Sequence, residues 1–73
     1  MTDEKMLKIF GYNVKKQREK INMSIKELSN KTKIREKYLI KIEEGNAKGI
    51  TASKAFMLIE ALNSNAEELF KGL

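Results

Sequence analysis

The 73-residue chain contains no cysteine, no histidine, no proline and no tryptophan. Without cysteine there is no disulfide framework and no thiolate to hold zinc. Without histidine the commonest general base is missing, and with both absent the Ser-His and Cys-His nucleophilic arrangements go too. Aspartate is reduced to one residue, Asp3, near the N-terminus. The expectation is a protein that is not an enzyme and that takes no metal and no cofactor. A long apolar run is also missing. The longest, Ala55–Phe56–Met57–Leu58–Ile59, falls far short of the ~20 residues a helix needs to cross a bilayer. The opening residues, Met1–Thr2–Asp3–Glu4–Lys5, carry both signs of charge where a secretory signal would be apolar. A cytoplasmic protein is expected. The length fits one domain, 1–73, and a chain of this size buries only ~60% of its unfolded surface, which argues against a deep active-site cavity.

What the chain does have is positive charge. Fifteen Lys and Arg against ten Asp and Glu give +5, with an isoelectric point near 9.6. That balance suits a polyanionic partner. The excess is unevenly placed. Residues 1–25 hold six bases and three acids and residues 26–54 hold eight and four, whereas residues 55–73 hold one base and three acids. The basic character ends where the last third begins.

Apolar residues recur at helical spacing throughout, and strand-like alternation is nowhere sustained. Leu7, Phe10, Val14 and Ile21 mark the inner stripe of a first helix, with Lys15, Lys16 and Lys20 facing away and Asn22 as its stop. Ser24–Ile25–Lys26–Glu27 is a capping box, in which hydroxyl and carboxylate satisfy each other's free backbone donors. It opens a short helix over 25–31 with Leu28 inward. Thr32–Lys33 reads as a tight connection. A third helix spans roughly 35–44 with Leu39 and Ile42 inward, and Gly45 stands where a left-handed C-cap belongs. After the loop 46–50, Thr51 caps a fourth helix whose inner stripe is Ala55, Phe56, Ile59 and Leu62. Asn63 ends it, and Asn65–Ala66–Glu67–Glu68 starts a short fifth helix carrying Leu69 and Phe70. Five helices, two of them joined by a three- or four-residue turn, predict an orthogonal all-α domain.

A short helix, a tight turn, an apolar Ile34 and a second helix form the skeleton of a helix-turn-helix over about 24–45. The second helix sets Arg35, Glu36, Lys37, Ile40, Lys41 and Glu44 on its outer positions, with Lys37 and Lys41 one turn apart. Around that skeleton, Phe10–Gly11–xx–Val14–xxx–Arg18, Ser24–xx–Glu27–Leu28–Ser29, Ile34–xxx–Tyr38–Leu39–x–Lys41–Ile42–Glu43–x–Gly45 and Ile59–xx–Leu62–xx–Asn65–xx–Glu68–Leu69 resemble the lambda-repressor-like Xre/Cro helix-turn-helix family, over residues 10–70. The resemblance implies a five-helix DNA-binding domain, a homodimer on operator DNA, and transcriptional control by a repressor or autoregulator. It implies that Arg35 starts the recognition helix near phosphate. Glu36, Lys37 and Lys41 would read bases, and Asn46 and Lys48 would meet the backbone beyond the helix. Ser24, Lys26 and Lys33 complete the expected DNA-binding set. Arg18 and Glu43 match a family pair that bridges the first and third helices as a buried ion pair. Specificity would come from Lys37 and Lys41 toward guanine and from Glu36 toward cytosine.

The chain departs from the family pattern in places. Ile25 replaces the Gln that usually follows the helix-2 cap, Lys33 replaces a common turn glycine and must adopt the left-handed region, and the loop before the fourth helix lacks its proline and is one residue longer. Ile25, Tyr38 and Ile40 bring apolar or aromatic groups to the would-be DNA face, although Tyr38 is better placed to pack against the first helix. Residues 23–46 are similar also to the cytoplasmic helix-turn-helix domain of the rod-shape protein RodZ, which implies the rival reading of a protein-interaction module with Ile25, Tyr38 and Ile40 as its contact patch. That likeness weakens after Gly49. Leu69, Phe70 and Leu73 are the expected dimer surface.

Overall fold

The computed structural model describes residues 4–72 and has five helices in chain order: α1 (Glu4–Lys20), α2 (Ile25–Thr32), α3 (Glu36–Glu43), α4 (Ala52–Ala61) and α5 (Ala66–Leu69). No strand occurs among the described residues, as expected for an all-α domain. Asp3 and Leu73 lie outside the described residues. Helix α1 packs on α3 and α5, α2 packs on α3 and α4, and α4 packs on α5.

The core is supplied one or two side chains at a time: Val14 from α1, Leu28 from α2, Leu39 and Ile42 from α3, Leu58 from α4, Leu62 at its end and Leu69 from α5, each at most 1% exposed. Burial of such side chains contributes about 1.5–3 kcal/mol apiece. Two expectations about the core are corrected. On α4 the inward stripe is Ala55, Leu58 and Leu62, while Phe56 is 64% exposed. Spacing at 55, 58 and 62 follows one side of the helix, and Phe56 sits ~100° around from Ala55, too far to share it. Leu69 is buried within its own chain and is therefore not available as a dimer surface. Ile21 lies in the turn after α1 and only packs against the edge of the core.

The ends of the helices explain how so short a chain turns so often. Three of them close on the same backbone pattern. After α1, the Met23 N–H donates to the Arg18 carbonyl and the Asn22 N–H to that of Glu19. After α3, Asn46 and Gly45 donate to Lys41 and Ile42, and after α4, Ser64 and Asn63 donate to Ile59 and Glu60. Each is a Schellman closure, which requires a residue in the left-handed region. Asn22 (φ 55°), Gly45 (φ 79°) and Asn63 (φ 54°) fill it, the residue types that adopt it most readily. Side chains of α1 then tie down two free helix ends. Gln17 Nε2 donates to the Leu62 carbonyl and Asn13 Nδ2 to those of Leu69 and Lys71, all at 2.9 Å.

Candidate nucleic-acid interface

The helix that would carry recognition, α3, is held from behind by α1. At their crossing Gly11 is buried, and a Cβ there would collide with the Ile42 carbonyl and stand 2.9 Å from that of Glu43. Only a residue without a side chain lets the two backbones come this close. Two turns along α1, Arg18 Nε donates to Glu43 Oε2 at 2.7 Å and Arg18 Nη2 to Oε1 at 3.1 Å. Its Nη1 donates to the Met23 carbonyl at 2.9 Å. The two side chains are 13% and 6% exposed. This is a forked, charge-assisted pair that fixes both the distance and the rotation of α3. The hydrogen bond to Glu43 raises the Arg18 pKa above its ordinary value, against the opposing pull of desolvation. A cation whose pKa rises on folding contributes stability that is fully present below its unfolded pKa and is lost only as pH climbs through the folded value. For arginine that lies in strong alkali, so the guanidinium stays charged at every physiological pH.

The start of α2 is set by the capping box: Glu27 N–H donates to Ser24 Oγ at 3.0 Å and Ser24 N–H donates to Glu27 Oε1 at 2.9 Å. The turn to α3 is pinned by hydroxyls. The buried Thr32 donates to the Leu28 carbonyl at 2.8 Å and accepts from the Ile34 N–H at 3.2 Å, and Ser29 Oγ donates to the Ile34 carbonyl at 2.6 Å. Thr32, expected in the tight connection, is the last residue of α2. Lys33 takes the left-handed region, φ 63°, as a residue in the glycine position must, and its N–H closes α2 on the Ser29 carbonyl. Ile34 then drops into the core and Arg35 becomes the N-cap of α3 without a side-chain cap hydrogen bond.

With both sides of the turn fixed, the outward residues follow. Ser24 and Lys26 are exposed at the first turn of α2. Lys33 and Arg35 are exposed at the turn. Glu36, Lys37 and Lys41 are exposed on α3, and Asn46 and Lys48 just after it. Lys26, Lys33, Arg35, Lys37, Lys41 and Lys48 take part in no ion pair among the described residues. Lys33 and Arg35 line one open groove of about 390 Å³ together with Tyr38, Lys54 and Met57. The Lys54 ammonium stands 4.4 Å from the centre of the Tyr38 ring, a cation–π contact that holds it beside the turn. Lys54 is thus a cation of this surface that sequence reasoning missed. Nothing local marks it, because the contact joins two helices that are brought near each other by their common packing on α2.

The three apolar residues near this face divide. Ile40 is 44% exposed. Ile25 and Tyr38 are partly buried and pack against the core. Besides that core packing, the Tyr38 ring meets Lys54 of α4.

A fold of short helices with a pinned turn between α2 and α3 defines a helix-turn-helix protein. A family model described as a helix-turn-helix domain matches residues 11–73, and the chain belongs to that family. Neither the curated proteins nor the solved structures gave a match. No helix among the described residues is long and apolar enough to cross a membrane.

Proposed function

We propose that this chain is a sequence-specific DNA-binding transcriptional regulator of Xre type, a non-enzymatic repressor or autoregulator that works as a cytoplasmic homodimer. The observation that carries this reading is the contrast across α3. Its inner side is locked to α1 and the core, while its outer side offers Lys37 and Lys41 one turn apart, both exposed and outside any ion pair among the described residues. A rigidly mounted helix with free cations on its outer side is what the major groove accepts. Two such helices set ~34 Å apart would occupy successive turns of the duplex and block a promoter. Lys26, Lys33, Arg35 and Lys48 would engage phosphates on either side, with Ser24 and Asn46 adding neutral hydrogen bonds and Glu36 addressing cytosine.

If about six phosphates are neutralised, at about 0.9 counterions each, the slope of log affinity against log salt is near −5. Gel shift against the DNA upstream of the chain's own coding sequence, repeated over a salt series, measures it. A slope shallower than about −2 contradicts the reading.

A second reading has one observation in its favour. Ile40 is 44% exposed between charged neighbours, where a docking anchor for a protein partner would sit. On that reading Ile40→Ser abolishes capture of the partner and leaves phosphate-driven DNA binding intact. The inward lean of Ile25 and Tyr38 leaves that patch with little area.

A further inference from the structure

We propose that a second copy of this chain docks on the apolar flank of α4, the Phe56 ring of each copy entering the cleft between α1, α4 and α5 of the other. The inference rests on the two-copy reading above and names its surface. Phe56 is the most exposed large apolar side chain among the described residues. Beside it opens a mostly apolar cleft of about 160 Å³ whose lining includes Leu7, Phe10, Ile50, Ala52, Ala55 and Phe70. An apolar cavity of about 150 Å³ holds a benzene ring, so the cleft has the capacity for one phenyl group. Phe10 and Phe70 stack with centroids 5.3 Å apart, giving the cleft an aromatic wall against which a third ring can pack.

Ring and cleft lie on one flank. Ala52 and Phe56 are four residues apart on α4, hence neighbours on its surface, and Ala52 lines the cleft. An exposed ring next to a ring-sized hole on the same face is self-complementary: a two-fold axis between two copies satisfies both at once.

Charge selects the occupant. Residues 1–54 hold fourteen bases and seven acids, while residues 55–73 hold one base and three acids. The residues lining the cleft are all uncharged, so two copies meet there without opposing like charges. Meeting across α3 would set Lys37 and Lys41 against their counterparts, and a strongly acidic partner would go to the basic surface instead. Docking here also leaves the candidate DNA surface open. Lys54 and Phe56 are two residues apart, ~200° around the helix, so the flank carrying Phe56 is opposite the one that meets Tyr38. The contact is one helix flank wide, at the small end of interface sizes, and adjacent half-sites on DNA would tighten it through effective concentration.

A dilution series of amide spectra on the wild-type protein and on Phe56→Glu tests this. The amides of Ala52, Phe56 and Phe70 should shift with protein concentration in the wild type. In Phe56→Glu that dependence should vanish, with self-association weakened roughly a hundred-fold or more. Its helical circular dichroism should match the wild type, because Phe56 is outside the core. Shifts that ignore concentration, that survive Phe56→Glu, or that centre on other residues overturn the proposal, as does a ring seated in its own cleft at all dilutions. Gel shift of Phe56→Glu on a single half-site duplex separates the two readings. Retained half-site binding with lost self-association supports the interface. Wild-type DNA binding without self-association sinks the interface and leaves the DNA reading standing. Self-association lost in Phe56→Glu, from a wild type that binds no duplex, supports the interface and sinks the DNA reading.

Discussion

The two sides of α3 differ in what fixes them. The inner side carries Leu39 and Ile42 at 0% exposure and Glu43 held by both arms of Arg18. The outer side of the same helix carries Lys37, Ile40 and Lys41, with Glu44 at its C-cap, all exposed. One helix thus divides into a part that specifies position and a part that is free to specify a partner. Changes on the inner side should cost folding, and changes on the outer side should cost binding alone.

The largest effect that would break this division lies at the ion pair. Arg18→Ala leaves the Glu43 carboxylate buried without its cation and should cost about 3–5 kcal/mol of stability, read from denaturant melts. A loss below about 1 kcal/mol, the level of an exposed pair, would mean that α3 is not mounted through this contact. Next is the turn. Thr32→Val keeps the shape but removes the acceptor for the Ile34 N–H, and should cost about 1–3 kcal/mol in the same melts. The smallest effect sharpens the comparison, because one residue belongs to both sides. Lys33 occupies the left-handed region, so Lys33→Gly should raise stability by up to about 1 kcal/mol while removing a cation from the proposed DNA face. Melting should rise, and the salt slope should become shallower by about 1 if Lys33 meets a phosphate.

How much of this was legible in the sequence follows from how far each signal reaches. The caps at Ser24, Thr51 and Asn65 could be read because each donor and acceptor lie three residues apart. Gly45 and Asn22 were legible as stops for the same local reason. The stripe of α4 was not. Hydropathy alone prefers Phe56 inside, and only the placement of α2 and α5 around α4 decides that Leu58 faces the core. Lys54 and Tyr38 meet because α3 and α4 both pack on α2, which no spacing within either helix encodes. The Arg18–Glu43 pair spans 25 residues and was reached through the family resemblance rather than through periodicity. The base-reading roles proposed for Glu36, Lys37 and Lys41 came by the same route. Structure adds that these three side chains are exposed on a helix whose back is fixed.

The central claim, that the outer side of α3 binds DNA without holding the fold, is tested most directly by Lys37→Ala and Lys41→Ala. Both variants are titrated against the upstream duplex and melted in parallel. Each should lose about 1–3 kcal/mol of specific affinity, as expected for a bidentate contact to guanine, with a melting transition indistinguishable from the wild type. Operator affinity indifferent to both substitutions would contradict the account.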